Sequence, residues 1–309
     1  MHVAVFADIE GSFGIWRMRQ CRMGTPEWQY GRACLTADVN QAVQGAFDGG
    51  AARVTVKDTH ELGFNCLTRR LDPRAAYIGG HFISPTFFGK LADYDLVLYV
   101  AIHAASGTPG AFFPHTHYGV FSAVRINGRA VSEMDVYGAY LGAYGLPIGF
   151  VSGDDIAVAQ ALIALPWAKS VVVDKQRAAY TSGEQSIRYL ADGRRRIRQA
   201  AAAAVREAGG MKPLVLEGPL HFEAEFRTRQ LADQFNTWRY RQVENRVEWE
   251  ADDIITGFDM MNRLTFFPKK IYPFRRPLAF LLRAYYRMKT GYFSPAPNPE
   301  DAPDPFQME

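Results

Sequence analysis

Short apolar runs, each ended by polar residues, alternate along the chain with segments of helical periodicity. Val3–Ala7, Arg53–Val56 and Leu96–Ile102 are rich in β-branched and aromatic residues, and acids or histidines follow each of them. Runs of this length and composition are typical of buried strands. Thr36 is predicted to cap a helix whose apolar positions recur every three to four residues until a glycine pair ends it. The alternation of strands and helices predicts an α/β fold.

The same alternation continues to about residue 265. Asn127-Gly128 predicts a tight turn after one of the strands. A long helix from Ser182 to Ala208 carries four arginines within Arg194–Arg198, which predicts a solvated face or a contact between subunits. The other predicted elements are strands at Val120–Ile126, Pro147–Val151, Ser170–Val173, Leu214–Phe226 and Val247–Trp249, and helices at Ser132–Tyr144, Asp155–Leu165, Arg227–Asn236 and Asp252–Leu264.

The chain changes character after residue 265. Lysine and arginine alternate with aromatic and apolar residues over Phe266–Phe293, where Leu278–Tyr292 is predicted to form one short helix. This segment is expected to cover an apolar surface of the main domain or of a neighbouring subunit, with attachment to a membrane surface as the alternative. Ser294–Glu309 is proline-rich and acidic, which predicts disorder.

Three parts are therefore expected along the chain. Residues 1–175 are expected to form an α/β domain, and residues 176–265 a smaller α+β domain. Residues 266–309 form a basic aromatic extension with a disordered proline-rich tail.

Composition narrows the class of protein. Hydrophobic residues make up 48% of the chain, which is typical of a globular protein rather than a disordered one. The formal net charge of +3 is too small to indicate a nucleic-acid partner. The three cysteines form no CxxC pair, so neither a disulfide framework nor a cysteine-rich zinc site is expected. Without a signal-peptide pattern, or an apolar run of the roughly 18 residues that span a bilayer, the chain is expected to be cytoplasmic.

Residues able to bind metal stand at the ends of the predicted strands. Asp8 and Glu10 follow the first strand, His60 the second and His103 the third, and Glu133 begins a helix. In open α/β sheets, binding sites form outside the carboxyl ends of the strands, so these side chains are expected to converge. Carboxylates and imidazoles bind zinc, and a bridging carboxylate allows a second ion about 3.5–4 Å away. Each residue alone has a plainer explanation, such as a solvated turn or an acid at a helix start, so the argument rests on the five together.

The segments around these residues resemble the D-aminopeptidase family of zinc peptidases, the M55 group of the dipeptide-operon type. The resemblance extends from residue 1 to about residue 265 and is weaker after residue 175. It is carried by Asp8-Ile-Glu-Gly, Val56-Lys-Asp-Thr-His60, His103-Ala-Ala-Ser-Gly-Thr-Pro-Gly110, His115-Thr, Ile126-Asn-Gly-Arg-Ala-Val-Ser-Glu133 and Val151-Ser-Gly-Asp-Asp155. It implies that two zinc ions per chain are bound by Asp8, Glu10, His60, His103 and Glu133.

The resemblance also implies a fold and an assembly. A mixed or parallel central sheet flanked by helices is expected, together with a smaller second α+β domain. The family assembles as a ring-shaped decamer, so a homo-oligomer is expected here. No residue is assigned to substrate binding.

A loop histidine assists catalysis in this family, and His115 is the expected counterpart. The family histidine directly precedes serine or threonine, as His115 precedes Thr116. The stretch Ala111–Pro114 before it is one residue longer than the family pattern, and His117 lies two residues further on as the competing candidate. Asp58, two residues before His60, is expected to orient a metal ligand.

The leading hypothesis is a di-zinc aminopeptidase that hydrolyses short peptides or aminoacyl amides, with D-amino-acid peptides as one substrate class. A metal-activated water is expected to attack the scissile carbonyl, while His115 relays a proton or stabilises the oxyanion. A metal-dependent hydrolase of another small amide and a non-catalytic metal-binding scaffold are the alternatives. The presence of all five expected ligands argues against a scaffold that has lost its activity.

Overall fold

The computed structural model describes the chain except for residues 81–87, 89, 177–183, 236–239, 267–268, 271, 275–276, 279, 283, 286–287, 289–304 and 307–309. The strands of the described part are β1 His2–Ala7, β2 Arg53–Asp58, β3 Ala76–Ile78, β4 Leu96–Ile102, β5 Phe121–Ile126, β6 Arg129–Ala130, β7 Ile148–Gly153, β8 Lys169–Val172, β9 Leu220–Phe226, β10 Arg241–Val243 and β11 Arg246–Ala251. Its α-helices are α1 Met18–Cys21, α2 Pro26–Asp48, α3 Glu133–Gly142, α4 Asp155–Ala164, α5 Glu184–Arg206, α6 Arg229–Phe235 and α7 Ile254–Phe266.

A six-stranded parallel sheet forms the centre of the molecule, with the strand order β3-β2-β1-β4-β7-β8. β1 lies inside this sheet and pairs in parallel with both β2 and β4. All seven residues of β4 are buried, as expected for a strand covered by helices on both faces. The expected α/β fold with a parallel central sheet is therefore confirmed. Because the strands run in one direction, the residues that follow β1, β2 and β4 meet at one edge of the sheet.

Helix α2 begins eleven residues earlier than the sequence pattern predicts. Its N-cap is Thr25, whose hydroxyl accepts a hydrogen bond from the backbone N–H of Trp28, and Pro26 occupies the first helical position. The prediction that Thr36 caps this helix is wrong. Thr36 lies buried inside the helix, where its hydroxyl donates to the carbonyl of Arg32 and accepts from the N–H of Leu67.

Small residues bring α5 close to α2. A Cβ atom added to Gly45 would lie 2.3 Å from the carbonyl oxygen of Arg198 and 2.8 Å from the Cβ of Ala201, so a larger residue would push the two helices apart. The alanine run of α5 is explained by this close packing of the two helices, because small side chains allow the helices to approach each other.

A second, five-stranded sheet has the order β10-β11-β9-β5-β6 and is antiparallel. The hairpin between β5 and β6 turns at Asn127 and Gly128, whose φ angles of 51° and 76° are those of a tight hairpin turn, so this predicted turn is confirmed. β5 and β6 precede residue 175 in the chain and the other three strands follow it. The division of the chain into domains at residue 175 stays a prediction.

The arginine run of α5 is not a uniformly solvated face. Arg194 is buried, and its Nε lies 2.8 Å from Oδ1 of Asp38, which is also buried. The second oxygen of Asp38 accepts a hydrogen bond from the backbone N–H of Phe13 at 2.7 Å, in the loop that follows Glu10. Arg195 is exposed, as predicted, and pairs on the surface with Asp192. The prediction of a solvated face is thus wrong for Arg194, which lies on the buried face of the helix.

We expect Arg194→Met to lower the free energy of unfolding by about 3–5 kcal/mol, because it leaves the Asp38 carboxylate buried without its cation. Urea denaturation followed by circular dichroism measures this loss. Arg195→Met is the matched control, since the pair it breaks is exposed and such pairs contribute little. An equal loss of unfolding free energy in the two variants would mean that the buried Arg194–Asp38 pair stabilises the fold no more than an exposed pair does.

Two residues of the C-terminal tail are packed against the main body. Pro305 is buried, and its carbonyl oxygen accepts a hydrogen bond of 2.8 Å from Nη1 of Arg194. The guanidinium carbon of Arg70 lies 4.2 Å from the ring centroid of Phe306. The predicted disorder of the tail is wrong for these two residues, and most of Ser294–Glu309 lies outside the described residues.

The helix predicted over Leu278–Tyr292 falls partly outside the described residues. Positions 277–278, 280–282, 284–285 and 288 are described, and all of them are helical. Within the part of the chain that the structure covers, no helix is both long enough and apolar enough to cross a membrane.

Candidate metal centre

The five predicted ligands lie together at the carboxyl edge of the parallel sheet. Asp8 directly follows β1, and Glu10 lies two residues further on. His60 follows β2, His103 directly follows β4, and Glu133 is the first residue of α3. All five side chains are buried, and Glu10 is 0% exposed.

Asp8 lies between the two histidines. Its Oδ1 is 2.9 Å from Nδ1 of His60, and its Oδ2 is 3.3 Å from Nε2 of His103. Each of these nitrogens also faces a second carboxylate. Nδ1 of His60 lies 3.2 Å from Oε2 of Glu10, and Nε2 of His103 lies 3.4 Å from Oε2 of Glu133. The cluster therefore has two halves that share Asp8.

Backbone carbonyls orient both imidazoles. Nε2 of His60 lies 2.9 Å from the carbonyl oxygen of Cys21, and Nδ1 of His103 lies 3.1 Å from that of Ala104. A carbonyl oxygen only accepts, so these nitrogens donate their protons to it. In the neutral rings, the lone pairs of the remaining nitrogens then face the carboxylates, which is how ligand histidines are held in metal sites.

Several buried atoms of the cluster lack hydrogen-bond partners among the described residues. These atoms are both carboxylate oxygens of Glu10 and Nε2 of His103. Burial of an unsatisfied carboxylate is costly, and a cation removes that cost. The ligand atoms of Asp8, Glu10 and His103 lie within 4.8 Å of one another, as do those of His103, His115 and Glu133. Oxygen and imidazole donors at this spacing fit zinc.

Protons on the histidines balance the negative charge when no cation is bound. Burial opposes the charged form of both rings, but the charges of Glu10 and Glu133 outweigh it, so the pKa values of His60 and His103 are raised well above the usual value. Burial acts to raise the pKa of Asp8, yet the close contacts with the His103 and His60 rings hold this pKa well below its usual range. A divalent cation would take over the role of these protons and release them.

Gly11 lets the loop that carries Glu10 approach the end of β4. The N–H of Gly11 donates to the carbonyl of Ala101 at 2.9 Å, and a Cβ on Gly11 would lie 2.3 Å from the carbonyl oxygen of Ile102. Only glycine fits so close to another backbone. This contact places the two acids of the first loop beside His103.

Glu133 is held by its helix and by the loop before it. Ser132 caps α3 and forms a capping box with Asp135, so Glu133 stands in the first helical turn. Oε1 of Glu133 accepts a hydrogen bond of 2.7 Å from the backbone N–H of His117. Oε2 is thereby left to face His103.

The ring of His115 lies against the ligand cluster. Its ring stacks on that of His103, with centroids 3.7 Å apart and planes inclined by 8°. Nδ1 lies 3.0 Å from the carbonyl of Phe113, to which it donates, and Nε2 lies 4.0 Å from Oε1 of Glu10. Burial, followed by the charge of His103, lowers the pKa of His115, which favours the neutral ring with a lone pair on Nε2.

His117 has different surroundings. Its Nδ1 lies 2.9 Å from the hydroxyl of Tyr137, and its ring packs edge-on against Phe258. Burial lowers the pKa of His117 to about 4. His115 is thus the histidine whose ring stacks in the ligand cluster, while its catalytic role stays a prediction.

Asp58 does not orient the ring of His60, contrary to expectation. Its oxygens accept hydrogen bonds from the backbone N–H groups of His60, Asn65 and Cys66, so it holds the turn after β2. The carbonyl of Cys21 orients the ring instead. No sequence pattern marks that carbonyl, because any residue type supplies it from a loop distant in sequence.

A cavity of about 480 Å³ opens onto the cluster. Besides the candidate ligands, it is lined by Arg22, Glu61 and Tyr137, which the sequence analysis did not single out. Tyr137 was foreseeable, because it lies four residues after Glu133 and so on the same face of α3. Glu61 is indicated only by its position next to the predicted ligand His60, and no sequence pattern indicates Arg22.

Comparisons with known proteins agree with this architecture. The family model described as D-aminopeptidase, peptidase M55, matches residues 1–263. A D-aminopeptidase of Bacillus subtilis (strain 168) is 24% identical over 271 residues, which cover 86% of this chain and 97% of that protein. A solved structure of the Zn-dependent D-aminopeptidase DppA from Bacillus subtilis, described as a self-compartmentalizing protease, has the same fold. It gives a TM-score of 0.75 at 22% identity over 95% of this chain and 100% of that one.

Proposed function

The chain belongs to the D-aminopeptidase family of peptidases, and we propose that it is a zinc aminopeptidase that hydrolyses short peptides or aminoacyl amides, including those of D-amino acids. The observation that carries this proposal is the buried cluster at the sheet edge. Three carboxylates and two oriented imidazoles face one another there, next to an open cavity and with unsatisfied oxygens on Glu10. Buried carboxylate oxygens are rarely left without a hydrogen-bond donor, so these acceptors point to a missing cation.

Two zinc ions per chain are proposed, with Asp8 shared between them. Support comes from the two oxygens of Asp8, which face different histidines. Glu10 and His60 would complete one half of the centre, and His103 and Glu133 the other. When bound, the ions polarise the scissile carbonyl and lower the pKa of the attacking water.

His115 supplies the proton transfer that amide hydrolysis requires. Its neutral Nε2 accepts a proton during attack and returns it to the leaving amine, which would otherwise depart as an unstable anion. Hydrogen bonding of Nδ1 to the Phe113 carbonyl keeps Nε2 directed at the ligand cluster.

The charges at the cavity suit a short zwitterionic peptide. Glu61 lies beside His60 and lines the cavity. It accepts a weak hydrogen bond of 3.3 Å from the backbone N–H of Met23. Its carboxylate can accept further hydrogen bonds, so it can bind the ammonium group of a substrate. Arg22 lines the same cavity and is exposed, so its guanidinium can pair with a substrate carboxylate. We infer that these two side chains bind the amino and carboxyl ends of a dipeptide.

We expect Arg22→Met to lower kcat/KM for a dipeptide about tenfold, because an exposed side chain such as Arg22 contributes at the lower end of the roughly 1.5–3 kcal/mol of a charge-assisted hydrogen bond. The corresponding dipeptide amide lacks the carboxylate and is the internal control, so its kcat/KM should stay unchanged. Steady-state kinetics on both substrates measure the ratio. An equal fall for dipeptide and amide would remove Arg22 from carboxylate binding.

Activity on a panel of substrates tests the proposed function itself. Zinc-loaded protein is mixed with D-alanyl and L-alanyl amides and with the matching dipeptides. Hydrolysis of the D-alanyl substrates, lost on treatment with a chelator and restored by zinc, is the expected result. Hydrolysis of L-alanyl substrates alone would overturn the stereochemical part of the proposal, and no hydrolysis of any of them would overturn the peptidase assignment.

Assembly as a homo-oligomer is proposed as well, with the decamer as the specific form. Family membership supports it, and the related DppA is described as self-compartmentalizing. Sedimentation equilibrium, with the chain mass of 34.6 kDa as the unit, gives the number of subunits directly.

A further inference from the structure

Positive charge is concentrated in one segment outside the family match. Residues 266–293, here called the basic segment, contain seven lysines and arginines and no acid, whereas the whole chain has a formal net charge of only +3. The rest of the chain is therefore net negative. The same 28 residues include nine aromatic residues. A segment of this composition combines attraction to anions with affinity for apolar surroundings.

Large apolar side chains of the basic segment face solvent. Phe274 is 66% exposed, Phe280 72%, Leu281 62% and Met288 60%. Leu278 and Leu282 are half-buried, so the helix has an inner and an outer side. The expectation is that the segment covers the main domain or a neighbouring subunit. Its first part is wrong for these four side chains, and its second part stays a prediction.

Three exposed apolar residues of the helical part share one face. At 100° per residue, Phe280, Leu281 and Met288 fall within an arc of about 100°, and the exposed Tyr285 lies about 40° beyond it. The half-buried leucines fall outside this arc. Large apolar side chains that are held outward on one face of a helix are typical of a surface that meets another apolar surface.

We propose that the basic segment docks the protein on an anionic lipid surface. Phe274, Phe280, Leu281 and Met288 would enter the boundary between headgroups and acyl chains, while the lysines and arginines pair with anionic headgroups. The rest of the chain is net negative, so the net attraction to such a surface comes from this segment. The proposed attachment is peripheral, because only side chains of the segment would enter the lipid surface.

Charge argues against a two-fold contact between two copies of this segment as the cover of this face. In a symmetric contact the same patch meets itself, so two segments of seven positive charges each would be pressed together. Repulsion of this kind is strongest where apolar side chains exclude water. An anionic surface instead satisfies both features of the segment at once.

Vesicle co-sedimentation with the full-length protein tests this proposal. The probes are vesicles of phosphatidylcholine alone and vesicles of phosphatidylcholine with phosphatidylglycerol. We expect binding to the anionic vesicles, little binding to the neutral ones, and weaker binding at high salt. The double variant Phe280→Ser/Leu281→Ser should lower the partition coefficient more than about tenfold, since it removes two inserted side chains.

Ile163→Ser is the matched control, because Ile163 is 73% exposed on α4 and lies outside the segment. It should bind vesicles as the wild type does. Lys269→Glu/Lys270→Glu should weaken binding to anionic vesicles while leaving hydrolysis of an aminoacyl amide in solution unchanged. The proposal is overturned if the wild type ignores anionic vesicles or if the Phe280/Leu281 variant binds them equally well. It is also overturned if neither protein binds vesicles and the variant has a different number of subunits, because the exposed face would then be a contact between subunits.

Discussion

Replacing Asp8 by alanine is expected to remove bound zinc and to lower hydrolysis by more than about 10³-fold, beyond the loss of a single oxyanion donor. Asp8 is the residue that contacts both histidines, so its removal opens both halves of the cluster. The fold should survive, because the carboxylate contributes no apolar packing and its loss relieves the crowding of negative charge. Metal content by elemental analysis and activity on an aminoacyl amide measure the effect.

Thermal melts of the same variant separate a lost metal from a damaged fold. Zinc at 1,000 times its dissociation constant stabilises the wild type by about 4 kcal/mol, so it raises Tm, whereas the Asp8→Ala protein should melt at the same temperature with and without zinc. Asp48→Ala is the matched control, since Asp48 is a surface acid that pairs with Arg198. Near-normal turnover of Asp8→Ala would place the active site elsewhere in the molecule.

Replacing His115 by alanine is expected to lower kcat by roughly 10²–10⁴-fold, which is the contribution of a positioned acid–base group. Metal content should stay nearly unchanged, because the five proposed ligands remain in place. His117→Ala should cost much less. The contact of His117 with Glu133 runs through the backbone N–H, which alanine keeps, and its ring contacts Tyr137 rather than a proposed ligand.

Two results with these histidine variants would contradict the roles assigned here. If His117→Ala is the more impaired, the roles of the two residues must be exchanged. If His115→Ala loses metal along with activity, His115 is a ligand rather than an acid–base group. That result would fit the short distances among the ligand atoms of His103, His115 and Glu133.

The sequence predicts this site well because its signals are local. Strand ends are marked by apolar runs that stop at polar residues, and parallel strands bring such ends to one edge of a sheet. Asp8, His60 and His103 each stand directly after or near the end of such a run. Their convergence follows from topology alone, without knowledge of any distance.

Other features depend on contacts that no local pattern records. The carbonyl of Cys21 orients His60 from a loop 39 residues away in the chain. Arg194 is buried because Asp38 lies opposite it on α2, although its neighbours in the same run are exposed. Strands β3, β6 and β10 are two or three residues long, too short for a periodic signal. In each of these cases tertiary contacts override what the neighbouring residues indicate.

Zinc-edge anomalous diffraction from crystals of the zinc-loaded protein tests the proposed centre most directly. The account predicts two anomalous peaks per chain at the carboxyl edge of the parallel sheet, both in contact with Asp8. One peak should lie beside Glu10 and His60, and the other beside His103 and Glu133. An empty cluster, or zinc bound only at other residues, would contradict it.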